Sequence, residues 1–249
     1  MSEKVVVITG ASSGIGAAVA QLLGRTTPYR LVLVARRKAA LDAVAAKCGA
    51  NASVVGGDME KREDVRSVTQ YALQQFSHID VWINNVGRGI SRPPSQLSDD
   101  DIDGMMRANV KSALYGMQEV LPHFKERNEG HFINVSSMLA RIPFAVIRSA
   151  YSASKFYLNA LTMMMRDEVK QTHPNIAFSL VSPGVVATDF GKNAVHGGPD
   201  SRELPNAQNV DEVAAVIAGV IESRAPDVYT NKGARDRVAG YYANLGVDP

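Results

Sequence analysis

The sequence predicts an α/β protein of one domain, a doubly wound parallel sheet in three αβα layers. Three observations carry that expectation. Short runs rich in Val and Ile recur along the chain, longer stretches with helical spacing lie between them, and the first run ends in a glycine-rich turn. Strands buried on both faces read as near-continuous apolar runs, and their alternation with helices builds right-handed βαβ units.

The elements follow in order. Residues 4–9 (KVVVIT) read as a strand and lead into TGASSGIGAAVAQLL, a turn that opens a helix. RLVLVA at 30–35 is the second strand, followed by the helical AALDAVAAKC, then ASVVGG at 52–57 and the helical REDVRSVTQYALQQF. IDVWIN (79–84), HFINVS (131–136) and IAFSLVS (176–182) read as further strands, with a weak last one in PDVYT at 226–230. DDIDGMMRANVKSALYGMQEVLPHF reads as one long helix, and RSAYSASKFYLNAL as an amphipathic one. The run MMM at 163–165 reads as helix packing, at a subunit contact if exposed.

No linker or repeat interrupts the pattern, so residues 1–249 form a single domain. The least regular stretch, about 189–209 (DFGKNAVHGGPDSRELPNAQN), is too long for an ordinary connection. It follows the carboxyl end of a strand, where α/β folds bind ligands, and reads as a mobile substrate-binding loop.

Composition narrows the function. With 45% hydrophobic and 21% charged residues the chain has ample material for a core, and a net charge of +2 gives no reason to expect nucleic acid or a membrane as partner. The absence of an export signal pattern or a long apolar run makes a cytoplasmic location the expectation. Cys48 has no partner for a disulfide, and His78, His123, His131, His173 and His196 lack ligand spacing, so no metal site is expected. A small-molecule substrate fits best.

In the glycine turn, Gly10 permits a tight exit from the strand, Gly14 lets the backbone approach a phosphate, and Gly16 allows helix to pack closely on sheet. The helix N-terminus then offers free N–H groups to a pyrophosphate. A turn needing glycines for purely steric reasons is the alternative. At the end of the second strand stand Arg36 and Arg37, where a carboxylate would be expected to hold the ribose of NAD. Two guanidiniums suit the 2′-phosphate of NADP instead. Tyr151 and Lys155, at i and i+4, share a helix face. An ammonium beside a phenol favours the phenolate and is expected to bring its pKa down from ~10 towards the working range. Such a pair can pass a proton to a carbonyl oxygen, although the same spacing also occurs on ordinary helix surfaces.

Four motifs carry a resemblance. TGASSGIG resembles the TGxxxGIG of the short-chain dehydrogenases/reductases, NNVG (84–87) their NNAG, YSASK their YxxxK, and SPGVVAT (182–188) their PGxxxT, over about residues 4 to 190. The resemblance implies a Rossmann fold, NADP(H) as cofactor and a catalytic set of Asn109, Ser137, Tyr151 and Lys155. Ser137 would polarise the carbonyl, Lys155 would bind the cofactor ribose, Asn109 would extend the proton relay through water, and Ser136 would point elsewhere. Cofactor contacts are implied for Ser12, Ser13 and Ile15 in the glycine loop, for Asp58 near the adenine, for Asn85 and Gly87, and for Pro183, Gly184, Val186 and Thr188. Val86 stands where Ala is usual, and Ser137 lies fourteen residues before Tyr151, one more than in many relatives.

Met138, Ile142, Phe144 and Val146 would give an apolar substrate wall. Arg88, Arg92, Arg141 and Arg148 flank the inferred cleft and would steer an anionic substrate. The function expected is NADPH-dependent reduction of a ketone or aldehyde. A 3-oxoacyl-thioester reductase is the nearest alternative, and a regulatory protein that senses NADPH is the alternative outside catalysis. A homotetramer or homodimer is implied by the same resemblance.

Overall fold

The computed structural model describes residues 3–246. Strands β1 (Val5–Thr9), β2 (Arg30–Ala35), β3 (Ala52–Gly56), β4 (Val81–Asn84), β5 (Gly130–Val135), β6 (Ile176–Ser182) and β7 (Asp227–Tyr229) form one parallel sheet in the order β3-β2-β1-β4-β5-β6-β7. The strand order reverses between β1 and β4. In doubly wound sheets that switch point opens the crevice in which ligands bind.

β1 shows how the strands divide the core. Val6 and Ile8 face one layer and Val7 the other, because successive side chains of a strand point to opposite sides. Helices α1 (Gly14–Thr26), α2 (Lys38–Ala45) and, late in the chain, one over Val210–Ser223 cover the first face. The second is covered by α3 (Arg62–Phe76) and by the helices over Ser112–Arg127 and Ser149–Lys170. β3 departs from the sequence expectation. As an edge strand it is half-buried along most of its length rather than enclosed on both faces.

The stretch expected as one long helix is divided. α4 (Asp99–Met106) starts on a capping box between Ser98 and Asp101, a π-turn spans Arg107–Lys111, and α5 (Ser112–Arg127) follows. Ala108, Asn109 and Val110 are all buried in that turn. α6 (Ser149–Lys170) is the expected amphipathic helix. Met165 packs on the core while Met163 and Met164 are exposed. α7 (Val210–Ser223) and α8 (Ala234–Ala243) complete the chain. Among the described residues no helix is long and apolar enough to cross a membrane.

Phe124, Phe132 and Phe178 pack in a row as tilted rings, with centroids 4.7 and 5.0 Å apart. A Cβ on Gly130 would lie 2.1 Å from the Phe124 ring. Gly130→Ala is therefore expected to lower stability by about 1–3 kcal/mol through overpacking. Gly219→Ala, in open space on α7, is expected to raise it by about 0.5–1 kcal/mol. Urea unfolding of the two variants reads both signs.

Candidate active site

The glycine loop leaves the end of β1 at the switch point. Gly10 (φ +67°) and Gly14 (φ +55°) both take left-handed conformations that side chains disfavour. Asn85 braces the turn: its backbone N–H donates to Thr9 Oγ1 (3.0 Å), and its Nδ2 donates to the carbonyls of Thr9 (3.1 Å) and Gly10 (3.3 Å). A Cβ on Gly16 would stand 2.5 Å from both Asn85 Nδ2 and the Gly10 carbonyl, so glycine there is what lets α1 close on the sheet.

The first turn of α1 carries no side-chain cap and no acidic residue, which leaves its N–H groups to an anionic ligand. Ser12 and Ser13 lie beside it, and Arg37 Nη2 donates to their hydroxyls at 3.4 and 3.3 Å. Arg36 is exposed next to it, and Ile15 anchors the loop on the core. Thr188, buried, lies over Gly14: a Cβ there would meet Thr188 Cγ2 at 3.6 Å. Val186 is buried below it, and the Gly184 N–H donates to Asn231 Oδ1 (3.1 Å) and Gln208 Oε1 (3.2 Å). Pro183 accepts the Met138 N–H at 2.7 Å, tying this loop to the end of β5. Asp58, half-buried, accepts the Glu60 N–H at 3.1 Å through one carboxylate oxygen. Uncapped N–H groups, positive-φ glycines and a guanidinium at one edge suit a phosphorylated dinucleotide.

The second group gathers beyond β5. Tyr151, Lys155, Ser137 and Asn109 are all buried there. Ser137 Oγ accepts the Leu139 N–H (3.1 Å), which leaves its own proton free to donate. Ser136 turns away, donating to Asn159 Oδ1 at 2.6 Å, as expected. Lys155 Nζ donates to the Val135 carbonyl at 2.8 Å. From the π-turn, Asn109 accepts the Arg88 N–H (2.7 Å) and donates to the Arg88 carbonyl and Ser154 Oγ (both 3.0 Å). Asn109 thus pins the 87–88 loop against α6. Gly87 fills the gap, since a Cβ on it would lie 3.1 Å from Asn109 Oδ1 and 3.4 Å from Lys155 Nζ.

Electrostatics correct one expectation. Burial pushes the Tyr151 phenol above its ordinary pKa, with the Ser137 hydroxyl and the Arg148 charge acting in the opposite direction. Lys155, turned to Val135, is not among the groups that lower it. Burial instead brings Lys155 itself down to about 8. The sequence shows only that the two side chains share a face. It does not show that the closed site desolvates both.

Beneath these groups runs a polar chain of which the sequence singled out only Asn84, through the NNVG motif. Trp82 Nε1 donates to Asn84 Oδ1 (2.8 Å), Asn84 Nδ2 to Asn134 Oδ1 (2.8 Å) and Asn134 Nδ2 to Thr162 Oγ1 (2.8 Å). It ties β4, β5 and α6 together under the site, and an asparagine inside the apolar run HFINVS was its available signal.

The intended substrate wall divides: Met138 and Ile142 are buried, whereas Phe144 and Val146 are 63% and 66% exposed. No common wall joins the four. The irregular 189–209 segment is anchored at several points. Val195 pairs with Ile90, the Gly191 N–H donates to Ser201 Oγ (3.1 Å), and His196 Nε2 meets Asp101 Oδ1 at 2.8 Å. Its Phe190 ring stands edge-on to Tyr151, with centroids 5.5 Å apart, a contact the sequence did not reveal. Of the flanking arginines, Arg92 donates to Asp101 (2.8 Å) and Arg141 to Asp227 (2.6 Å), so both are neutralised in place. Arg88 is exposed, and Arg148 is half-buried. Among the described residues no three His, Cys, Asp or Glu side chains group to hold a metal ion.

Comparison with known proteins agrees with this geometry. The sequence profile of the short chain dehydrogenase family matches residues 4–197. An uncharacterized oxidoreductase of Staphylococcus epidermidis is 30% identical over 210 residues, 84% of this chain and 88% of that protein. An alcohol dehydrogenase of Thermococcus sibiricus, solved with 5-hydroxy-NADP, superposes with a TM-score of 0.79 at 26% identity, covering 92% of this chain and 96% of that one. A short-chain dehydrogenase/reductase of Burkholderia phymatum, solved with NAD, shares the fold at 22% identity with a TM-score of 0.87, covering 99% of this chain and 97% of that one.

Proposed function

The chain belongs to the short-chain dehydrogenase/reductase family and is an oxidoreductase, and from that premise we propose that it reduces a ketone or aldehyde to an alcohol, reversibly, with NADPH. The observation that carries the reading is the convergence of Ser137, Tyr151, Lys155 and Asn109, all buried, beside an uncapped glycine loop. NADPH, when bound, supplies the hydride.

The chain's own residues do the rest. The Ser137 hydroxyl turns its proton to the substrate oxygen and polarises the carbonyl. Tyr151 gives its phenolic proton to that oxygen as negative charge develops there. Lys155, with one proton held by Val135, keeps two N–H donors for the cofactor ribose. Asn109 is a positioning residue that holds the 87–88 loop and α6 in register. A protein that only sensed NADPH would have no use for this complete set. The 189–209 segment covers the substrate side, with Phe190 packed on Tyr151.

The preference for NADPH rests on Arg37. Its guanidinium stands at the serines of the glycine loop, where a 2′-phosphate gains charge-assisted hydrogen bonds and a bare ribose gains none. Arg37→Asp is expected to raise KM for NADPH by about 10- to 100-fold, the range of such bonds, and to favour NADH. A wild type that prefers NADH overturns the cofactor assignment. NADPH oxidation against a chemically diverse carbonyl panel tests the reaction; no turnover with any ketone or aldehyde overturns it.

A further inference from the structure

Arg148 differs from Arg92 and Arg141 in having no acidic partner, and from the exposed Arg88 in being half-buried. Its Nη1 donates to the Ile90 carbonyl at 3.1 Å, and among the described residues no carboxylate pairs with it. A guanidinium has five donors, and a half-buried one left without a counter-ion is disfavoured unless something else supplies negative charge. Its place in the fold shows what that would be. Arg148 immediately precedes α6 and stands three residues before Tyr151.

Two glycines locate its head group. A Cβ on Gly89 would lie 2.9 Å from Arg148 Nη1 and 3.0 Å from the edge of the Phe190 ring, so guanidinium and ring stand side by side. That same ring packs edge-on against Tyr151. A Cβ on Gly198 would lie 3.0 Å from Arg148 Nη2 and 3.0 Å from Ser91 Oγ. The Ser91 hydroxyl is itself buried with no hydrogen-bond partner. One cation without a counter-ion and one unpartnered hydroxyl therefore both lie beside Gly198, in the 189–209 segment that carries Phe190 onto Tyr151.

We infer that Arg148, with Ser91 beside it, reads an anionic group on the substrate, so that the preferred substrate is an oxo compound carrying a carboxylate or phosphate a few bonds from the carbonyl. The inference rests on the carbonyl-reductase reading of the site. Arg148 would hold two anionic oxygens through its fork of N–H donors, and Ser91 would give a further hydrogen bond. Arg92 and Arg141 cannot do this, because Asp101 and Asp227 already occupy them. The Phe190 ring beside the guanidinium would exclude water and strengthen the ion pair.

The test is steady-state NADPH oxidation with matched substrates: short oxo acids, their methyl esters, and oxo phosphates. Wild type is expected to favour an anion over its neutral counterpart in kcat/KM by about 10- to 100-fold, the range of hydrogen bonds to charged groups. Whether carboxylate or phosphate ranks higher identifies the anion. Arg148→Met is expected to bring the acid-to-ester ratio close to one, and Arg148→Lys to restore part of it. Ser91→Ala is expected to lower the same ratio by a smaller factor. A structural role alone would slow acid and ester alike and leave the ratio unmoved. Turnover of neutral ketones with no preference for anions in wild type, or a ratio unchanged in Arg148→Met, overturns this inference while the reductase reading stands. If no carbonyl compound is turned over although NADPH binds, the reductase reading falls, and this inference with it.

Discussion

Tyr151→Phe is expected to lower kcat by about 100- to 10,000-fold, the range supplied by a positioned general acid, while NADPH still binds with nearly unchanged affinity. The substitution is a clean probe because of where the side chain lies. Tyr151 is buried in a small apolar cluster with Ile90, Met105 and Ala150, and its ring contacts Phe190. Phenylalanine keeps all of that packing and removes only the hydroxyl. Burial holds the phenol protonated in the ligand-free protein, so the group stands ready as an acid before substrate arrives. Steady-state rates on a turned-over carbonyl, together with fluorescence titration of NADPH, separate chemistry from binding. If Tyr151→Phe retains wild-type kcat, Tyr151 is not the proton donor. If NADPH binding is lost along with turnover, the residue is serving the cofactor and not the proton.

Much of this site was legible because it is written locally. The glycine turn needs left-handed backbone at Gly10 and close approach at Gly16, and both demands restrict residue type at fixed offsets. The spacing of Tyr151 and Lys155 is likewise a property of one helix. What the sequence did not reveal is whatever depends on segments meeting through the fold. Phe190 reaches Tyr151 from a loop with no periodicity, and Asp101 neutralises Arg92 while also meeting His196 from that same loop. The four flanking arginines looked equivalent in the sequence, and only their partners tell them apart. The π-turn at Arg107–Lys111 was invisible for a related reason. Its apolar spacing passes for a continuous helix.

Lys155→Met is expected to abolish most turnover and yet stabilise the ligand-free protein, by about 1–3 kcal/mol at neutral pH. Lys155 is a buried ammonium that donates to the Val135 carbonyl and, among the described residues, forms no ion pair with a carboxylate. Desolvation brings its pKa from 10.5 to about 8. Below about pH 8 both folded and unfolded chains carry the proton, and the folded state bears the full cost of holding the charge out of water, of order 3 kcal/mol. Between about pH 8 and 10.5 the unfolded chain binds more protons than the folded one, so wild-type stability from this group rises with pH. Methionine fills similar space without the charge, and part of the gain is offset by leaving the Val135 carbonyl unpaired. Denaturant unfolding of both proteins at pH 7 and pH 9.5, without ligand, should therefore show a gap that narrows at the higher pH. Tyr151 is common to both proteins, and its own titration largely cancels in the difference. Saturating NADPH should reverse the order, because only the wild type has the ammonium donors for the ribose. A Lys155→Met protein less stable than wild type at pH 7, with no narrowing at pH 9.5, would mean that the lysine is a structural strut instead of a strained functional group held ready for the cofactor.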